Sequence, residues 1–155
     1  MKRTIKTLGN HVTSSLPKKE KALLLDVVYE IDGKLVRMNQ LLKANARPIG
    51  VIVPYITQEG QEKELIVYYD DEHSMLSLSD ARIYAWYKFP CYQGSHWRVK
   101  NTKDDQHMRE MLPIINALCR RLGGKSVSGL YIDSEARNQL VTPKHKIRYV
   151  CDVPV

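Results

Sequence analysis

The sequence has little cysteine, a single phenylalanine and no long apolar segment. Its three cysteines, at positions 91, 119 and 151, show no CxxC spacing, which argues against a zinc site and against a disulfide framework. No stretch approaches the roughly 18 apolar residues of a membrane-spanning helix. The basic N-terminus is not followed by the apolar run of a secretory signal. We therefore expect a soluble chain with no membrane partner.

Catalytic and cofactor motifs are also missing. The sequence contains no HExxH, no GxSxG, no P-loop and no GxGxxG. Cys119 and His107 would lie on one helix but about three turns apart, too far for a nucleophile and its base. We interpret the acidic run Asp70-Asp71-Glu72-His73 as the solvent-exposed end of a hairpin, in preference to a metal site. We expect a protein that is not an enzyme and holds neither a cofactor nor a metal ion.

What the sequence does contain is an uneven basic charge. The 155 residues carry a net charge of +7, and 43% of them are hydrophobic, enough for one domain with its own core. Residues 1–21 hold six basic side chains against one acid: Lys2, Arg3, Lys6, Lys18, Lys19 and Lys21. We interpret residues 1–22 as a docking arm and 23–155 as the domain. An alternative is a nucleic-acid-associated protein that uses this arm and the basic residues of 137–148.

The first half of the domain predicts two hairpins and a helix. Val27, Tyr29 and Ile31 alternate before Asp32-Gly33, a pair that favours a tight turn between two strands. The apolar run 49–56, the turn 57–61 and the run 64–71 predict the second hairpin. Residues 77–90 predict a short helix that starts at a capping-box-like pair and ends at a proline.

The second half predicts a strand, a longer helix and two closing strands. Trp97–Val99 is extended, and Thr102 with Asp105 resembles a capping box. Pro113 should bend or restart the helix, and Gly123-Gly124 should end it. The apolar face of this helix is predicted to consist of Met108, Met111, Leu112, Ile115, Leu118, Cys119 and Leu122. Strands at 129–135 and 146–153 complete an α+β domain with mainly antiparallel strands.

The succession of these motifs resembles a known family. W-R-V-K-N (97–101), L-G-G (122–124), Y-I-D-S-E (131–135) and I-R-Y-V-C-D (147–152) are similar to the pattern W-R-L-P-T, amphipathic helix, Y-W-S-S-T-E, V-R-C-V. That pattern belongs to bacterial and phage C-type-lectin-like domains related to the formylglycine-generating-enzyme fold. The upstream segments P-I-G-V-I-V, Y-Y-D-D-E and S-L-S-D-A also resemble the family, so the likeness spans about residues 26–155.

The resemblance implies a C-type-lectin-like scaffold whose loops bind a partner. The Glu-Pro-Asn and Trp-Asn-Asp patterns of calcium-dependent lectins are absent, so neither calcium nor sugar binding is implied. The expected contact residues are Tyr92, His96, Trp97, Tyr131, Asp133, Glu135, Arg137 and Asn138. Core packing is the alternative for Trp97 and Tyr131, and Arg98 and Arg148 are expected to bond across the terminal strands. Whether Cys91 pairs with Cys151 stays open.

The function expected from this resemblance is structural. We expect a virion component, such as a capsid decoration or a head or tail fibre, or a cell-surface display module. The arm would dock on a protein assembly, the domain would meet a host glycan or protein, and a homo-oligomer is allowed. The expected location is the virion, assembled in the host cytoplasm, with the cytoplasm itself as the alternative. One structural requirement follows: the Trp97 strand and the C-terminal strand must belong to the same sheet.

Overall fold

A computed structural model describes residues 25–39, 46–70, 72–73, 78–124 and 146–155 of the chain. In chain order the strands and helices are β1 (Val27–Ile31), β2 (Lys34–Met38), β3 (Arg47–Ile56), β4 (Glu62–Tyr68), β5 (Glu72–His73), α1 (Leu78–Lys88), β6 (Trp97–Val99), α2 (Thr102–Met108), a 3₁₀ turn (Arg109–Met111), α3 (Leu112–Arg121), β7 (Lys146–Ile147) and β8 (Tyr149–Asp152). The predicted docking arm and the predicted strand at 129–135 lie outside the described residues.

Six of the described strands form one antiparallel sheet in the order β2-β1-β3-β4-β8-β6. The first predicted hairpin is confirmed: Asp32 (φ 52°) and Gly33 (φ 78°) both take the positive φ of a type I′ turn between β1 and β2. The second hairpin is confirmed as β3 and β4. Trp97 of β6 pairs with Cys151 of β8, so the Trp97 strand and the C-terminal strand belong to the same sheet, as expected from the sequence.

Both faces of the sheet are buried, because apolar residues follow one another along the central strands instead of alternating with polar ones. Ile52 and Ile66 contribute to a core on the side of α1. Val51 and Val67 point the other way, into a core that α3 closes with Ile115, Leu118 and Cys119. The domain therefore has a central sheet with helical cover on each side, and the coarse α+β antiparallel class predicted from the sequence is correct.

The second helix differs in detail from its prediction. Its capping box is formed by Asn101 and Asp104, one residue before the predicted pair, since the Asn101 side chain accepts from the Asp104 backbone N–H. The helix passes through the 3₁₀ turn and restarts at Leu112, with Pro113 in its first turn, as expected of proline. Leu112 is exposed and Ile114 is buried, because this restart rotates the apolar face away from the position that an unbroken helix would give it.

The strands near the C-terminus also differ from their prediction. The predicted strand 146–153 is divided at Arg148 into β7 and β8, which belong to different sheets. β7 pairs with β5, so Glu72–His73 forms a small sheet instead of only a solvent-exposed hairpin end. Within the described ranges, no helix has the length and apolar character needed to span a membrane.

Candidate functional site

Helix α1 faces the sheet with its small residues and faces solvent with its large ones. Ala81 and Ala85, four residues apart, are fully buried, and the lack of side-chain bulk lets the helix lie close to the sheet. Ile83, Trp86 and Tyr87 expose 58%, 56% and 84% of their surface. Since spacings of three and four residues share one side of a helix, these three side chains form a single surface. We call Ile83, Trp86 and Tyr87 the aromatic face of α1.

A tight hairpin follows α1 and positions a thiol beside an imidazole. Gln93 (φ 50°) and Gly94 (φ 83°) both have positive φ, as in a type I′ turn. Tyr92 and Ser95 exchange backbone hydrogen bonds of 3.0 and 2.9 Å. The next residues outward, Cys91 and His96, therefore form a non-hydrogen-bonded pair, the kind in which opposite side chains lie closest. Both are exposed.

The Cys91 sulfur lies 3.4 Å from Nδ1 of His96 and 3.9 Å from Nε2, so either ring nitrogen is within reach of the thiol. The imidazole is held in place from its other side. It stacks on the Trp86 indole with ring centroids 3.7 Å apart and an angle of 10° between the rings. The aromatic face of α1 thus continues through His96 to Cys91, and helix and hairpin present one surface.

The hairpin is anchored by the core beneath it. Trp97 is fully buried and its indole N–H donates to the Pro90 carbonyl over 3.1 Å. The Cys151 thiol lies behind the hairpin and donates to the Ser95 carbonyl at 3.5 Å. Burial raises the pKa of Cys151 to about 11, so this sulfur is held as a thiol. Cys91, Cys119 and Cys151 are all free, and no disulfide joins Cys91 to Cys151.

Lys88, at the C-terminal end of α1, lies over three aromatic rings. Nζ of Lys88 lies 5.3 Å from the ring centre of Tyr84, 5.4 Å from that of Tyr68 and 5.5 Å from that of Phe89. A cation at this distance is attracted by the electron-rich faces of the rings. Burial lowers the pKa of Lys88. The lysine therefore fixes the end of α1 against the aromatic core.

The expected contact residues are placed very differently from one another. His96 is exposed and lies in the site just described. Tyr92 and Trp97 are buried, at 4% and 0% exposure, and their side chains pack in the core instead of facing a partner. For Trp97 this is the core-packing alternative. The remaining expected contacts and the arm residues lie outside the described part of the chain: Tyr131, Asp133, Glu135, Arg137, Asn138, Lys2, Arg3, Lys6, Lys18, Lys19 and Lys21.

The two arginines expected to bond across the terminal strands have different roles. Arg98 does so, through hydrogen bonds of 2.9 Å to both carboxylate oxygens of Asp152 on β8, and it also binds Asp104 of α2. Arg148 instead reaches α3, where it donates to the Asn116 side-chain oxygen at 2.9 Å and to the Cys119 sulfur at 3.5 Å. Cys119 is buried, as expected, and burial raises its pKa.

Sequence reasoning missed the aromatic face of α1 and the nearness of Cys91 to His96. Two signals were present. The alanines at 81 and 85 share one helix side, and the three large residues at 83, 86 and 87 share another. Gln93-Gly94 is a two-residue turn, and a hairpin closed there places Cys91 opposite His96.

Comparisons with known proteins add no relative. No protein-family model matches this chain, and neither the curated proteins nor the solved structures gave a match. Among the residues that the structure describes, no group of three or more His, Cys, Asp or Glu side chains could hold a metal ion. The candidate site is therefore defined by its own geometry: an exposed aromatic surface beside an exposed thiol–imidazole pair.

Proposed function

We propose that this chain is a non-enzymatic binding module that meets its partner with the aromatic face of α1 and the adjoining hairpin. The observation that carries the proposal is the orientation of α1, which buries two alanines and exposes its largest apolar side chains. Large aromatic residues are enriched at protein interfaces and dominate binding energies there.

The size of the surface fits this role. With the exposures given above, the three side chains offer on the order of 400 Å² of mostly apolar surface, taking about 150–250 Å² for a whole aromatic side chain. A patch of this size on a monomer is often functional. It is about half of the roughly 800 Å² that each partner buries in a standard interface. The aromatic face would thus form the centre of the contact, with His96 and neighbouring polar groups at its rim.

The scaffold and its setting belong to the same proposal. We take the domain to be C-type-lectin-like and the chain to be a component of a phage particle, with the basic arm docked on the assembly. The succession of family-like motifs along the sequence supports this assignment, and so does the pairing of β6 with β8, which the scaffold requires. An arm with five net positive charges in 21 residues suits an acidic protein surface.

The arm and the aromatic face can be tested separately in purified phage particles that carry the chain. Deletion of residues 1–21 should abolish incorporation, measured by quantitative mass spectrometry of the particles. The double variant W86A/Y87A should be incorporated normally but should lower particle adhesion to host cells. Two interface aromatics worth about 1 kcal/mol or more each predict at least a thirtyfold loss of affinity.

The matched control changes apolar residues that are exposed elsewhere. Ile56 and Leu112 each expose 38% of their surface and lie away from α1, so I56A/L112A should leave adhesion within about twofold of wild type. If W86A/Y87A adheres as well as this control, the aromatic face is not the binding surface. If the wild-type chain is missing from purified particles, the particle assignment is wrong.

A further inference from the structure

The three cysteines of the chain differ sharply in accessibility. Cys119 and Cys151 are fully buried, and burial raises the pKa of both thiols. Cys91 is exposed, in the hairpin after α1, and within the described ranges it is the cysteine that has an imidazole in contact. The proposed binding surface does not require an exposed thiol in contact with an imidazole, and we therefore consider the chemistry of this pair.

The pair has the geometry of a nucleophile with its base. The hairpin register places Cys91 opposite His96, and the stack on Trp86 restricts rotation of the imidazole, so the 3.4 Å contact does not depend on a freely rotating ring. A thiol next to a histidine is the arrangement by which proteins activate cysteine. We propose that Cys91 is a modification site, at which the thiol attacks small disulfides with His96 as its base and becomes a mixed disulfide.

The exchange balances without any further reagent. A ring nitrogen of His96 takes the proton from the Cys91 thiol, and the sulfur attacks one sulfur of a small disulfide R–S–S–R. The new S–S bond joins Cys91 to one half of the reagent, and the old S–S bond breaks. The leaving thiolate takes the proton from the imidazolium. Cys91 is oxidised to the disulfide level while the released half of the reagent is reduced to a thiol.

The surroundings select the kind of disulfide. The aromatic face of α1 adjoins the pair through Trp86, whose ring stacks on His96, and Tyr87, the next residue of that face, is 84% exposed. A disulfide with flat aromatic or apolar groups can stack there during attack, whereas a small polar disulfide gains nothing from these rings. The site therefore favours aromatic disulfides.

The expected size of the effect has an upper bound. An ordinary thiol is about 3% thiolate at pH 7, so a base that supplied the thiolate completely could speed the exchange by at most about thirtyfold. Removing the imidazole should therefore slow modification of Cys91 by about three- to thirtyfold. A larger loss would point to a disturbed fold, which thermal unfolding of each variant would reveal.

The experiment uses the full-length folded protein and 4,4′-dithiodipyridine, a neutral aromatic disulfide whose released thione absorbs light. Wild type, H96N and C91S are compared at pH 7 by absorbance, with intact mass to count the groups attached. The matched control is H107N, since the His107 ring also stacks on an aromatic ring, that of Tyr55, with centroids 4.1 Å apart. In the described part of the chain the cysteine–imidazole contacts are those of His96 and not of His107. We expect one fast adduct in wild type and H107N, a slowed one in H96N and none in C91S.

A second reagent tests the role of the aromatic face. Hydroxyethyl disulfide has no ring and serves as the reference reagent. The rate with 4,4′-dithiodipyridine divided by the rate with hydroxyethyl disulfide should be lower in Y87A than in wild type, while His96 and Cys91 stay intact. An unchanged rate in H96N would overturn the proposal, and so would a wild-type rate no higher than that of a cysteine peptide. The result is independent of the proposed function, because it uses no particle, host cell or partner.

Discussion

Replacing Arg98 tests whether one side chain joins three elements of the domain. Arg98 lies on β6 and donates two hydrogen bonds to Asp104 of α2, at 2.7 and 3.0 Å, and two to Asp152 of β8, both at 2.9 Å. The substitution R98Q keeps a polar side chain of similar length but removes the charge and most of the donors. Asp104 then loses its cation while it stays almost fully buried.

The magnitude follows from the exposure of each partner. The Asp104 side chain is 5% exposed, so losing its arginine belongs with breaking a buried pair, reduced because Arg98 itself is 31% exposed; we take about 2 kcal/mol. The Asp152 side chain is 53% exposed, and such pairs contribute at most about 1 kcal/mol. R98Q should therefore lower the free energy of unfolding by about 2–3 kcal/mol, which in a chain of this size lowers Tm by about 5–10 °C.

The pH dependence gives a second readout of the same contact. Hydrogen bonds from Arg98 lower the pKa of Asp152 by more than burial raises it. A carboxyl whose pKa is lowered by folding stabilises the fold above its unfolded pKa, about 4, and that stability is lost as the pH falls through the folded pKa. Wild type should lose this contribution below about pH 4, and R98Q should lack it at every pH.

Urea unfolding at pH 7 and at a series of pH values down to 3 measures both effects. The control is R47Q, because Arg47 is 62% exposed and its ion pair with Glu30, at 3.3 Å, lies at the surface; it should change the stability by less than about 0.5 kcal/mol. If R98Q costs no more than R47Q, or if its stability falls below pH 4 as steeply as that of wild type, the reasoning about this arginine is refuted.

Two further substitutions test the packing of the sheet and the start of α2. A Cβ at Gly50 of β3 would collide with the Val67 carbonyl of β4. G50A should therefore destabilise the domain by about 1–3 kcal/mol, measured by urea unfolding. Unchanged stability would show that the two strands can move apart without loss of free energy. N101A should lose about 1 kcal/mol and N101D should restore most of it, because aspartate can also accept from the Asp104 N–H; equal losses in both would contradict the cap.

The sequence predicted best those elements whose signals are local. The Asp32-Gly33 turn needs positive φ at two positions, and Gly123 (φ 107°) ends α3, so both could be placed without knowing the rest of the fold. The capping box was misplaced by one residue because Thr102 and Asp105 satisfy the same spacing rule as Asn101 and Asp104. The order of the strands could not be predicted, since β4 pairs with β8 across more than half of the chain and no local signal encodes such a contact.

The site was harder to predict than the fold for a reason that lies in α1 itself. Helix orientation is normally read from an apolar stripe, with the larger apolar residues turned inward. In α1 the inward positions are alanines and the outward ones include Ile83, Trp86 and Tyr87, so hydrophobicity alone assigns no face. Side-chain volume decides, because only small residues allow the close approach of helix to sheet. A helix that is apolar on both sides is therefore expected wherever one side packs in the core and the other binds a partner, which is the role proposed for α1.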